Sequence, residues 1–142
     1  MTDTQKPVNI TVDTREKNTA VIKHWQGYPG IFPGLEFEFV EMEVGDYVIG
    51  ESAVIERKST TDFMLSVMVK HIVSNLMKLK KDFDQVIYIV EGDIYAPRFH
   101  SDPVKLREAI AYMVVKEKVA LIPSSGPQNS AELIYAMAVQ AA

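Results

Sequence analysis

In the stretch "VIERKSTTD" (residues 54–62), a carboxylate, a guanidinium and an ammonium follow one another at the end of an apolar run. If that run is a strand, side chains alternate, so Val54, Glu56 and Lys58 share one face while Ile55 and Arg57 share the other. Glu56 and Lys58 then lie about 7 Å apart on the same side. A carboxylate there can hold a hard cation while the ammonium reaches a phosphate or a water. Asp46 follows Gly45, ten residues upstream of Glu56, where strand pairing across a turn brings it back beside Glu56. A carboxylate in a turn, then Glu-x-Lys on the next strand, suits metal-dependent phosphodiester cleavage. Carboxylates bind Mg2+ through oxygen, and such a cation acidifies water and stabilises a developing oxyanion. A lysine orients the water or neutralises charge on the phosphate.

Each of these residues also has an ordinary structural role. Gly45-Asp46 is a common turn pair. Glu56-Arg57-Lys58 can be a solvated strand end. Ser59-Thr60-Thr61-Asp62 places an acid three residues after a hydroxyl, as at a capped helix start favoured by the helix dipole. Asp13 and Glu16 can be a strand-end turn and a first-turn acid. Taken singly, none decides between chemistry and structure.

The elements that would position them are readable from periodicity. Val8, Ile10 and Val12 alternate with polar residues, predicting a strand that ends near Asp13. A helix over 18–27 stops at the Gly/Pro-rich "GYPGIFPG" (27–34). "LEFEFVEMEV" (35–44) alternates again, and "YVIGESAVIERK" (47–58) reads as two strands around a turn at Gly50-Glu51-Ser52. From Ser59 to about Asp82 there is neither Gly nor Pro, and Met64, Met68, Ile72, Leu76 and Leu79 mark one face of a single long helix. "QVIYIV" (85–90) is a strand covered on both faces, 103–118 a helix, "VALIP" (119–123) another buried strand, and 128–141 a final amphipathic helix. The alternation in the second half implies parallel strands joined by a crossover, after an antiparallel hairpin in the first half. The class is α/β, with a central mixed sheet flanked by helices, and the 142 residues read as a single domain.

Composition narrows the setting. Without cysteine there are neither disulfides nor thiolate metal sites, which fits a reducing compartment. No apolar run reaches the roughly 18 residues of a membrane span, and the N-terminus lacks a signal-peptide apolar region. The expected location is cytoplasmic, or nuclear in a eukaryote, with no membrane partner. The net charge of −4 weighs against a general nucleic-acid binder. Five carboxylates (Asp13, Glu16, Asp46, Glu56 and Asp62) fall in the suspected site, however, and a bound cation would offset part of that charge. Lys70, Lys78, Lys80 and Lys81 form either a solvated helix face or a phosphate-contacting patch. The segment "DIYAPRFHSD" (93–102), with Tyr95, Arg98, Phe99 and His100, can stack on unpaired bases or cover a sheet edge.

Order and spacing go further than any single residue. Gly45-Asp46, nine residues, Glu56-Arg57-Lys58, three residues, then Asp62 resembles the GD…ERK…D signature of the XPF family of structure-specific endonucleases. "VDTRE" (Asp13, Arg15, Glu16) is similar to that family's first acidic motif, and "VIYIVEG" (86–92) to its later buried strand and turn. The resemblance implies a restriction-endonuclease-like fold and Mg2+- or Mn2+-dependent cleavage of DNA at branches, flaps or single/double-strand junctions, in repair or recombination. It implies Asp46 and Glu56 as primary metal ligands with Asp13 supporting them. Lys58 would act on the water or phosphate, and Asp62 would support the site from the helix start. Strand parity turns Arg57 away from Glu56 and Lys58, toward an acid such as Glu16. Arg15, Lys70, His71 and Lys78 are the candidate substrate-binding residues. Relatives commonly carry Arg and then Gln, four positions later, where this chain has His71 and Asn75; His71 can contact a phosphate or simply be hydrogen-bonded structure.

The resemblance also implies a homo- or heterodimer through this domain, with Leu133, Ile134, Met137 and Val139 of the last helix as interface or core. No helix-hairpin-helix module is recognisable, so a separate DNA-binding subunit would deliver the substrate. Two rival readings remain: a non-catalytic scaffold or partner subunit, and a general restriction-like nuclease.

Overall fold

The computed structural model describes residues 6–96 and 102–142. Its elements in chain order are β1 (Val8–Asp13), α1 (Ala20–Gly27), β2 (Leu35–Val40), β3 (Tyr47–Ile49), β4 (Ala53–Ser59), α2 (Thr60–Met68), α3 (His71–Asp82), β5 (Gln85–Glu91), α4 (Pro103–Ala111), β6 (Ala120–Ser124) and α5 (Pro127–Ala141). The six strands form one mixed sheet in the order β2-β1-β3-β4-β5-β6. β3 runs antiparallel to both β1 and β4, while β1–β2, β4–β5 and β5–β6 are parallel pairs.

Alternation along the strands splits the core into two layers. On one face Ile10, Val12, Tyr47, Ile49, Ile55 and Ile89 pack with Val21, Ile22 and Trp25 of α1 and Ala131, Ile134 and Ala138 of α5. On the other, Val54, Val86, Tyr88 and Val90 pack with Phe63, Met64 and Val67 of α2, Ile72, Leu76 and Leu79 of α3, and Leu106 of α4. β4 and β5 are therefore buried on both faces, as expected for strands under helices on either side. Among the described residues no helix is long and apolar enough to cross a membrane.

Three expectations from periodicity need correction, the first being the burial of the last strand, since β6 is a half-exposed edge strand. The alternation through "VEMEV" does not extend β2, which ends at Val40 because the Met42 N–H turns to the Asp13 side chain at 2.8 Å. The single helix over 59–82 is two helices. Val69 N–H still bonds Leu65 O, but Lys70 adopts φ +61 and bonds Val67 O, closing α2 and re-aiming the chain into α3. A left-handed lysine costs roughly 1–2 kcal/mol, and the apolar spacing runs on through the break. α4 continues through a π-helical turn at Tyr112–Lys116, so the helix expected over 103–118 ends there.

Candidate metal and DNA site

The site is built on the β3–β4 hairpin. The ladder pairs Tyr47 with Ile55, Val48 with Val54 and Ile49 with Ala53, so its next step sets Asp46 opposite Glu56. The Asp46 N–H bonds Ile55 O at 3.0 Å, and its carbonyl accepts the Asp13 N–H at 2.9 Å. Its side-chain Oδ2 accepts the Arg57 N–H at 2.8 Å. Gly45 allows this turn: its φ is +90, and a Cβ there would lie 2.4 Å from Val54 Cγ2.

Glu56 is buried on the α2/α3 face. Asn75 of α3 gives one amide hydrogen to Glu56 Oε2 at 2.8 Å and the other to Tyr88 Oη at 2.9 Å. Burial, with the Glu56 carboxylate beside it, pushes the Asp46 carboxyl up to about 8 despite the Arg57 N–H. Two neighbouring carboxyl groups with little water around them repel one another, and the repulsion raises the pKa of one. Asp46 and Glu56 also meet through a side-chain hydrogen bond, made by the proton that the raised Asp46 carboxyl keeps. An oxygen donor pair of this kind fits a hard divalent cation that keeps several waters.

Lys58 follows on the same face. It lines a cleft of about 450 Å³ with Ser66, His71, Ser74, Asn75 and Lys78. Asn75 is shared between this cleft and Glu56, so the cationic groups stand next to the acids. Lys70 is exposed at the helix break and lies outside this lining. Lys80 is held by Glu117, 2.8 Å from Oε1, which takes it out of a phosphate-binding patch.

Arg57 leaves that face. Its Nε bonds Glu16 Oε1 at 3.0 Å, and its Nη1 reaches both Glu91 oxygens at 2.9 Å. Burial opposes the Arg57 charge, but Glu91 and Glu16 outweigh it and raise its pKa. The Tyr47 hydroxyl also donates to Glu16 Oε1, at 2.6 Å. Burial and the Glu16 charge push that phenol's pKa well up, so it stays a neutral donor.

Asp13 does not join Asp46 and Glu56 as a third carboxylate. It is 1% exposed, with Oδ1 on the Met42 N–H and Oδ2 on the Arg15 backbone N–H and Nε. Burial raises its pKa, but the Met42 and Arg15 donors overcome that and hold it below the usual value. Among the described residues no three acid or imidazole groups are placed to share one metal ion. Asp13 supports the site through its main chain instead, by its N–H to Asp46 O. Arg15, 62% exposed and within the fields of Asp46 and Glu56, stands at the mouth. Asp62 is exposed in the first turn of α2, and its N–H is capped by Ser59 Oγ at 3.1 Å. Among the described residues no hydrogen bond or ion pair ties its carboxylate to the acid pair.

Sequence reasoning passed over Glu91, Tyr88 and Ser130. Glu91 had a signal, an acid ending a buried strand just before Gly92 in "VIYIVEG"; Tyr88 and Ser130 had none, being ordinary residues of a strand and a helix. Of the "DIYAPRFHSD" segment, Tyr95 is exposed, and Arg98, Phe99 and His100 lie outside the described residues.

The site thus sets paired carboxylates and a lysine on a hairpin of a mixed sheet that lies between two helical layers. The family model described as the ERCC4 domain matches residues 12–137, and the chain belongs to that family. The chain is 34% identical over 134 residues to the Methanocaldococcus jannaschii protein MJ1505, which carries an ATP-dependent RNA helicase name; the match covers 94% of this chain and 16% of that one. It is 27% identical to the 3′-flap repair endonuclease Xpf of Saccharolobus solfataricus, covering 92% of this chain and 54% of the relative. The fold is that of XPF from Aeropyrum pernix, with a TM-score of 0.81 at 24% identity, over 92% of this chain and 59% of that one. The same protein in complex with DNA gives 0.80 at 23% identity, over 93% of this chain and 63% of that one. The chain thus spans only part of each of these proteins.

Proposed function

We propose that this chain is the catalytic domain of a divalent-cation-dependent DNA endonuclease that cuts near branches, flaps or single/double-strand junctions. The observation that carries this reading is the Asp46–Glu56 pair, a buried glutamate and a half-buried aspartate set side by side and sharing a proton when no cation is bound. Asp46 and Glu56 are the residues to hold Mg2+ or Mn2+, which when bound supplies an acidified water and charge neutralisation at the phosphate. Lys58, on the same face, orients the water and faces the developing negative charge. Lys78 and His71, across the cleft, hold a flanking phosphate of the strand. Arg15 at the mouth adds a further phosphate contact.

The family assignment and the DNA complex of the Aeropyrum pernix protein support the substrate class. The working unit is a homo- or heterodimer through this domain. Ile134 belongs to the core, whereas Leu133, Ala136 and Met137 of α5 line an open apolar groove with Ile49 and Ile87 that suits a second subunit.

The test is cleavage of flap, fork and plain duplex DNA with Mg2+, Mn2+ or EDTA. Metal-dependent cutting that favours the branched substrates is expected. Strong cutting of plain duplex without branch preference would point to a general nuclease instead, and no metal-dependent cutting of any substrate would overturn the reading.

A further inference from the structure

β4 has two neighbours only along part of its length. Its ladder with β3 covers Ala53–Ile55, whereas its ladder with β5 runs from Ala53 to Ser59. Arg57 therefore lies beyond the last β3 pair, yet its main-chain N–H is the donor that fixes Asp46 Oδ2. The sheet holds Arg57 from the β5 side through its pairing with Ile89. On the β3 side the last main-chain bond is Asp46 N–H to Ile55 O, so side-chain contacts at Arg57 add to that hold. The guanidinium does so from the opposite face. Glu91 stands two positions beyond Ile89, the ladder partner of Arg57, and reaches back diagonally so that both its oxygens bracket Nη1.

Glu91 is itself held. Ser130, fully buried in the first turns of α5, donates to Glu91 Oε2 at 2.6 Å. Ser130 Oγ also lies 2.8 Å from Ser124 Oγ, and the Ser124 hydroxyl donates to Gly126 O at 2.9 Å, which ties this corner to the start of α5. A chain of contacts thus runs from α5 through Ser130, Glu91 and Arg57 to a carboxylate of the site. Arg57, Glu16 and Glu91 keep 12–14% of their side-chain surface exposed, and ion pairs so nearly buried contribute little net stability over well-packed apolar residues.

Resting on the nuclease reading above, we infer that Glu91 is a positioning residue for the reaction: anchored by Ser130, it clamps Arg57 and so fixes Asp46 for cation binding. It touches neither substrate nor cation. Glu91→Gln keeps the shape and one acceptor but removes the charge. Ser130→Ala leaves Glu91 charged and unanchored, and so tests the clamp even where the glutamine variant folds poorly.

The experiment measures single-turnover cleavage against Mn2+ concentration, Mn2+ affinity by calorimetry and DNA affinity, for both variants and the unaltered chain. In Glu91→Gln, the rate and the Mn2+ affinity fall roughly 10- to 100-fold, the usual range for residues that orient metal ligands. Ser130→Ala shows a smaller loss of the same kind, and DNA affinity stays unchanged in both. Wild-type rate and Mn2+ affinity in both variants overturn the inference while leaving the nuclease reading intact. If the unaltered chain binds Mn2+ but cleaves nothing, the nuclease reading fails and calorimetry alone decides: weaker Mn2+ binding in Glu91→Gln supports the clamp, and equal binding overturns it. A chain that binds no Mn2+ sinks both.

Discussion

The backbone N–H of Arg57 donates to Asp46 Oδ2 at 2.8 Å, although the Arg57 side chain points to the other face of the sheet. One residue therefore serves both layers: its main chain sets the acid pair, and its guanidinium gathers Glu16 and Glu91. Lys58 and Glu56, one position to either side, point to the opposite face, where Lys58 lines the cleft and Glu56 meets Asn75.

The acid pair makes the metal-free protein sensitive to pH. The folded pKa of Asp46 is raised to about 8, above its ordinary value of 3.8. A carboxyl raised on folding contributes its full stability below the unfolded pKa and loses it as pH rises toward the folded one. Asp13 has the opposite sign, contributing above its unfolded pKa and losing that only in acid. From pH 5 to 8, thermal unfolding in EDTA is therefore expected to show a falling midpoint that Asp46→Asn flattens. Over the same window Mn2+ affinity should rise by about tenfold per pH unit, because binding displaces the Asp46 proton.

Gly45→Ala strains a φ of +90 and drives a methyl to 2.4 Å from Val54 Cγ2 in the core. Urea unfolding should show a loss of about 1–3 kcal/mol. Cleavage should fall as well, because the next residue is Asp46.

Asn75→Ala removes the donor to both Glu56 and Tyr88. A loss of about 1–3 kcal/mol in stability is expected, since two buried acceptors lose their partner. Cleavage rate should fall with little change in DNA affinity, read by comparing single-turnover rates with fluorescence anisotropy.

Lys78 and Lys58 share one cleft with different roles. Lys78→Ala should weaken DNA binding and reduce the slope of log affinity against log salt by about one, as for one lost phosphate contact. Lys58→Ala should lower the cleavage rate much more than it lowers affinity. An unchanged salt slope in Lys78→Ala would remove that residue from the DNA path.

The hairpin, the two-sided burial of β5 and the parity of Glu56, Arg57 and Lys58 were legible in the sequence because each follows from alternation alone. The break at Lys70 was not, because the apolar spacing of α2 and α3 is continuous and only the backbone angle of one lysine departs. The surroundings of Asp13 were hidden for a similar reason. Its place on the first strand was readable, but the capture of both its oxygens by Met42 and Arg15 depends on where β2 ends. Glu91 and Ser130 meet only through tertiary folding, 39 residues apart. Short-range pattern finds the strand that ends at Glu91, not the serine that holds it.

The most direct test of the central claim is Mn2+-dependent cleavage of a flap substrate by Asp46→Asn, Glu56→Gln and the double variant, each shown to be folded by circular dichroism. Each single substitution is expected to abolish cutting and weaken Mn2+ binding, with the double variant no worse in rate than either. Cleavage that survives in the double variant would contradict the assignment of Asp46 and Glu56 as the metal-holding pair.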